Sequence, residues 1–193
     1  MTIATRRTIL VPYTDHLESD FLMLNVCAKN RKYMNGPHTL SSARALFKRV
    51  LNDTLIHAMA VLDIRSREYL GHVFVSKEEK TKSGELGYIF DKLYWNRGIA
   101  SEVLKAFVES VKSEMGLDTL TANVDKGHTP SIRLVEKLGF EHQGIERDEF
   151  GAYHKYRLTY DKVVYENSEH KSFSLPTYLD NSHLPELKTQ NHK

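Results

Sequence analysis

SGELGYIFDKLYWNRGIAS, residues Ser83 to Ser101, is the stretch on which the reading of the whole chain turns. It divides into a strand, a turn and the start of a long helix. Glu85 to Phe90 is rich in aromatic and β-branched residues, as strands are. Asp91, Lys92 and Asn96 mark the turn. From Gly98 a helix is expected, because Ile99, Val103, Phe107, Val111 and Met115 recur at every fourth position, with Ala100, Leu104 and Val108 beside them. The first turn of a helix carries backbone N–H groups without intrahelical partners, and the helix dipole adds positive potential there. Gly98 has no side chain to keep a bulky anion from the main chain. The stretch is therefore suited to holding a phosphorylated ligand at a strand-to-helix junction.

Trp95-Asn96-Arg97-Gly98-Ile99-Ala100 resembles the Gln/Arg-x-x-Gly-x-Gly/Ala acyl-CoA signature of the GNAT acetyltransferase superfamily, with Trp95 where the general pattern has Gln or Arg. ELGYIF before it and SEVL after it resemble the RimJ/RimL-like branch, which acetylates protein N-termini, notably those of ribosomal proteins. EKLGF, Glu136 to Phe140, resembles the closing signature of the superfamily. The similarity is strong through Phe140, and a weaker similarity spans about Arg6 to Tyr165. The resemblance implies a domain over residues 1–167, followed by a polar tail over 168–193, rich in Ser, His, Asn, Lys and Pro.

The order of elements agrees with that fold. Thr8 to Pro12 reads as a first strand. Asp15 with Glu18 reads as the start of a helix running to about Lys29, and Asn35-Gly36-Pro37 breaks the chain. A second helix is expected from about Ser41, with Ala43, Leu46, Phe47, Val50 and Leu51 facing inward. Leu55 to Ile64 and Tyr69 to Ser76 read as a hairpin turning at Asp63 to Glu68, and Leu120 to Val124 as a later strand. Thr129, as N-cap ahead of Pro130, opens a last helix closed by Gly139. Glu141 to Glu146 and Tyr153 to Tyr160 complete the set. The expected class is α/β (α+β), a mixed and mostly antiparallel sheet of about seven strands with helices on both faces.

Composition sets outer bounds. The chain has 193 residues, 40% of them hydrophobic and 27% charged, as for an ordinary soluble domain. A formal charge of +2 is too small to argue for direct nucleic-acid binding, and the Arg6-Arg7 pair reads as solvated surface. Cys27 is the sole cysteine, so an internal disulfide is excluded. It reads as a packing residue on an apolar helical pattern. Ten histidines are scattered without metal-ligand spacing, and no metal is expected. The chain shows neither a signal-peptide pattern nor an apolar run near the ~20 residues that cross a bilayer, so a cytoplasmic protein without membrane association is expected.

What the resemblance implies for chemistry is direct attack of a primary amine on acetyl-CoA in a ternary complex, by a monomer or homodimer. Loop amides would grip the pyrophosphate. Ile89, Phe90, Asn96, Arg97, Gly98, Ile99, Ala100, Ser101, Asn123, His128, Ser131 and Lys137 would contact the coenzyme. Glu85 is the candidate base, and strand alternation places it with Gly87 and Ile89, opposite Leu86, Tyr88 and Phe90. Many family members have a Tyr donor where this chain has Val135; the protein-acetylating branch has a Ser earlier in that helix, which corresponds to Ser131, the candidate proton donor to the thiolate. His128 stands where Asn is usual. Each has a bland alternative: a strand-end carboxylate for Glu85, a hydroxyl bonded to its own backbone for Ser131, a locally satisfied loop histidine for His128. The acceptor is read as a protein N-terminus, or else a small amine such as a polyamine, amino acid or antibiotic. A non-catalytic CoA-binding module is the third reading.

Overall fold

A computed structural model describes residues 2–160. In chain order these form β1 (Ile3–Ala4), β2 (Thr8–Pro12), α1 (Glu18–Val26), α2 (Leu40–Asn52), β3 (Ile56–Asp63), β4 (Tyr69–Lys77), β5 (Ser83–Phe90), α3 (Ile99–Met115), β6 (Thr119–Asp125), α4 (Thr129–Lys137), β7 (Glu141–Asp148) and β8 (Gly151–Thr159). One sheet runs β1-β2-β3-β4-β5-β6-β8-β7. Every neighbouring pair is antiparallel except β5 and β6, which α3 connects as a crossover.

Among the described residues the sheet has eight strands, against about seven expected. The addition is β1, which pairs Ile3 with Leu10 and Ala4 with Ile9 after the chain reverses through Thr5 to Arg7. Two residues carry too little pattern to read as a strand. The expected tail over 168–193, and the domain boundary at 167, lie outside the described residues.

Strand alternation separates two cores. On one face Leu86 and Phe90 join Val73 and Val75 beneath α3, whose Ile99, Val103, Phe107 and Val111 are buried as the four-residue spacing predicts. Burying each such side chain contributes about 1.5–3 kcal/mol. On the other face His72 packs against Phe21 of α1, and Phe21 against Phe47 of α2. α3 is flanked by Gly98 at its N-cap (φ 72) and Gly116 at its C-cap (φ 60).

Three helix boundaries differ from expectation. α1 stops at Val26 rather than near Lys29, because Cys27 is extended (φ −78, ψ 112). Asp15 and Glu18 form no reciprocal cap: a short 3-10 turn covers Asp15–Leu17, and Glu18 reaches out to Arg44 of α2 at 2.9 Å. In α4 the N-cap is His128, with Thr129 already inside the helix, so Thr129 is not the cap expected. α2 does have a capping threonine, Thr39, whose hydroxyl accepts from the Ser42 amide at 3.1 Å.

Candidate active site

The site begins where pairing stops. The parallel ladder between β5 and β6 comprises only Ser83–Thr119, Gly84–Leu120 and Glu85–Thr121. Beyond Glu85, β5 pairs only with β4, and beyond Thr121, β6 pairs only with β8. The strands splay into a wedge. Along its inner edges, backbone N–H and C=O groups that would otherwise ladder are open to an extended, amide-bearing chain. Ile89 and Phe90 belong to the β5 edge and Asn123 to the β6 edge.

At the end of β5 the wedge meets the loop into α3. The Trp95 indole donates to the Phe90 carbonyl at 2.8 Å, fixing the loop to the strand. Asn96 and Gly98 both take positive φ, 60° and 72°. The Arg97 guanidinium lies over the Tyr94 ring, 5.6 Å from its centroid. The nearest atom to a Cβ built on Gly98 would be Arg7 Nη2 at 3.6 Å, so the approach to the first-turn amides of Ile99, Ala100 and Ser101 is open and faced by a cation. This arrangement suits a pyrophosphate.

Arg7 is a residue that sequence reasoning missed. Its Nη1 donates to the Arg97 carbonyl at 2.8 Å, and its Nε to Glu102 Oε2 at 2.8 Å. Glu102, in the first turn of α3, also accepts from Thr5 Oγ1 at 2.7 Å and from the Arg7 amide at 2.9 Å. Desolvation works against the Glu102 charge, but these hydrogen bonds outweigh it and hold the carboxyl below its ordinary range. The β1–β2 turn is thereby tied to the loop that would grip phosphate. Downstream, a groove of about 280 Å³ is lined by Ser101, Lys105, Glu109 and Lys137 over Val108, Leu138, Leu158 and Tyr160. Ser101 and Lys137 are two of the residues that the resemblance assigns to the coenzyme, and Lys105 adds a second ammonium to the groove. A larger depression of about 490 Å³ lies on the outer side of α2 by Arg44 and Lys48 and touches none of these residues.

Glu85 stands at the closed end of the wedge. Asn123 Nδ2 donates to Glu85 Oε1 at 3.2 Å, across from β6. Partial desolvation raises the Glu85 carboxyl above its ordinary value; the Asn123 bond and the Lys155 charge pull it back, and Glu78 adds to the rise. The residue itself stays open to solvent. Beside it a Cβ on Gly87 would overlap the Phe74 ring, so only glycine lets that ring lie across the strand next to Glu85. Further along the same face His72 is fully buried among Phe21, Phe74 and Tyr13, with Nδ1 unpartnered; burial lowers its pKa to about 3, and the Arg31 charge adds to this.

On the opposite face Ser131, in the first turn of α4, is buried and hydrogen-bonded to the Tyr88 hydroxyl. Burial pushes the Tyr88 phenol up to about 12, and the Ser131 bond offsets part of this. The bland reading of Ser131 as bonded to its own backbone does not hold.

The loop between α1 and α2 spans the mouth of the wedge. On the β5 side, Asn30 Nδ2 donates to Asp91 Oδ2 at 2.9 Å, and Asn30 Oδ1 accepts from the Lys92 amide at 2.9 Å. On the β6 side, Tyr33 stacks on His128, centroids 4.4 Å apart and planes 13° from parallel. Burial lowers the His128 pKa, opposed by Asp125. Arg31 ties the loop internally, donating to the carbonyls of Met34 and Gly36 and to Asn25 Oδ1. Cys27 sits at the start of this loop, half-buried, with Lys92 Nζ 3.5 Å away. Among the described residues no group of three or more His, Cys, Asp or Glu is placed to hold a metal ion, and no helix is long and apolar enough to cross a membrane.

Comparison with known proteins adds to this geometry. Among curated proteins, the uncharacterized N-acetyltransferase p20 of Bacillus licheniformis is 29% identical over 124 residues, covering 61% of this chain and 69% of that protein. Among solved structures, a GNAT-family acetyltransferase from Bacillus anthracis superposes with a TM-score of 0.72 at 23% identity, over 82% of this chain and 98% of that one. A spermidine N-acetyltransferase from Vibrio cholerae, solved with CoA and spermine, gives 0.70 at 14%, over 79% and 95%. A ribosomal-protein-S5-alanine acetyltransferase from Vibrio fischeri gives 0.67 at 13%, over 82% and 96%. At these identities the structures show the fold. The model of the acetyltransferase (GNAT) domain family matches residues 7–141. With a splayed β5–β6 pair, a glycine-opened helix terminus and a family match over most of its length, this chain belongs to the GNAT family of acetyl-CoA-dependent N-acetyltransferases.

Proposed function

We propose that the acceptor is the α-amine at the N-terminus of a protein, such as a ribosomal protein, with Glu85 as base and Ser131 as hydrogen-bond donor to the leaving sulfur. The observation that carries this reading is the setting of Glu85. It is a carboxylate open to solvent, bonded to the Asn123 amide, with the Glu78 charge and the Lys155 cation acting on it in opposite senses. A polyamine calls for an enclosed, repeatedly acidic pocket; a single amine at the end of a polypeptide calls for an open slot with one base.

Acid–base arithmetic supports the same choice. With a pKa of about 7.7–8.0, roughly a quarter of α-amines are neutral near pH 7.4, against about one in a thousand lysine amines at ~10.4. A raised carboxyl is also better matched to taking an α-amine proton. In the proposed step the nitrogen lone pair attacks the thioester carbonyl carbon. As the N–C bond forms and the C–S bond breaks, the electron pair passes to sulfur. The amine proton leaves to Glu85, directly or through one water, and the sulfur is met by the Ser131 hydroxyl.

A thiol-release assay with an acceptor panel tests the reading. Peptides with free N-termini should turn over about ten-fold or more faster than the same peptides N-terminally blocked but carrying lysine, and faster than spermidine or free amino acids. Preferential turnover of spermidine, or of blocked lysine peptides, would contradict it.

A further inference from the structure

We infer that Tyr88 is a positioning residue for the reaction: its hydroxyl donates to Ser131 Oγ and so turns the serine's own proton into the wedge, toward the leaving sulfur. The inference rests on the reading of Ser131 as the group that meets that sulfur.

A count of hydrogen bonds leads there. Tyr88 and Ser131 each bring one O–H donor. Among the described residues their only side-chain hydrogen bond is the one they share, which uses a single proton of the two. The remaining proton has no acceptor among the described residues, although Ser131 is buried. A buried hydroxyl proton without an acceptor is costly unless something that enters the site accepts it. Tyr88 extends from β5 past the point where β5 and β6 part, and Ser131 faces it from the first turn of α4, so the pair spans the wedge on the α3–α4 side.

Direction follows from acidity. A phenol is a stronger hydrogen-bond donor than an aliphatic alcohol, so the shared proton belongs to Tyr88 and the unshared one to Ser131. Donation into Ser131 Oγ also polarises the serine O–H and strengthens its bond to an anion. The phenol is held near 12 by burial, whereas a thiol ionises near 8.5. Full proton transfer from this pair to a thiolate is therefore uphill. The pair stabilises the departing thiolate by hydrogen bonding while it carries the electron pair of the broken C–S bond; the thiol proton is acquired afterwards from solvent.

The test is a double-mutant cycle of Tyr88→Phe and Ser131→Ala, read as kcat at saturating acetyl-CoA and as acetyl-CoA Kd by calorimetry. Each single variant should lose about ten-fold or more in kcat while Kd moves less than about two-fold, and the double variant should be no slower than Ser131→Ala. A purely structural role would move Kd or thermal stability and give losses that multiply. Wild-type kcat in Tyr88→Phe, or multiplying losses, overturns the inference while leaving Ser131 as donor; wild-type kcat in Ser131→Ala overturns both. If Tyr88→Phe does not fold, proton NMR decides. Wild-type protein should show a solvent-protected Tyr88 hydroxyl proton that is lost in Ser131→Ala, and its absence from wild-type protein overturns the inference.

Discussion

Glu85 is the residue at which the chemistry can be read most directly. Its carboxyl is raised by partial desolvation, and it acts as a base only when ionised. The sign follows: kcat should be level above the raised pKa and fall by up to about ten-fold per pH unit below it. That limb should lie higher than the usual glutamate value near 4.3. Glu85→Gln should remove the limb and cost about 10²-fold in kcat, with acetyl-CoA affinity nearly unchanged. Steady-state pH profiles check this, and an unchanged profile in the variant would show that the base lies elsewhere. Position alone pointed to Glu85, since alternation along β5 aims it away from the α3 core. The same alternation put Tyr88 on the opposite face but said nothing of Ser131, 43 residues on, because that contact depends on how α4 is seated. His128 was legible as unusual, yet its stacking partner Tyr33 comes from a loop with no local pattern.

Among the elements, the terminus of α3 shows how a site is shared between distant segments. Its apolar spacing runs on to Met115, and its glycine and its charge preference are written within residues 83–101. The clamp that fixes its loop is not. Arg7 read as solvated surface because nothing in Arg6-Arg7 shows that the β1–β2 turn brings it to the Arg97 carbonyl and Glu102. Arg7→Ala should weaken acetyl-CoA binding about five- to ten-fold and leave kcat at saturation nearly unchanged, as measured by calorimetry and initial rates. Arg7→Lys should not restore affinity, because one ammonium cannot reproduce the planar fork that serves both acceptors. Affinity within two-fold of wild type in Arg7→Ala would show the clamp to be incidental. The α1–α2 loop follows the same logic: Asn30 and Tyr33 anchor it to opposite sides of the wedge mouth, though neither stood out in the sequence.

Over the whole molecule, what was legible is what local periodicity encodes. Alternation and four-residue spacing located each helix and all but one strand, and the missing strand has only two residues. Boundaries were the less legible part: a 3-10 turn precedes α1, and Glu18 pairs with Arg44 of α2 instead of capping the helix. The wedge itself was not readable from pattern, because it is an absence of pairing after Glu85 and Thr121 between strands that look ordinary. Yet the wedge and the glycine at its rim are the proposed acetyl-CoA site, and every role proposed for Glu85, Ser131 and Tyr88 presumes a thioester lying within it. Calorimetric titration of acetyl-CoA into the protein measures that directly. Saturable heat at one site per chain, with a Kd in the roughly micromolar range usual for such substrates, is the predicted result; a titration without saturable heat would contradict the account.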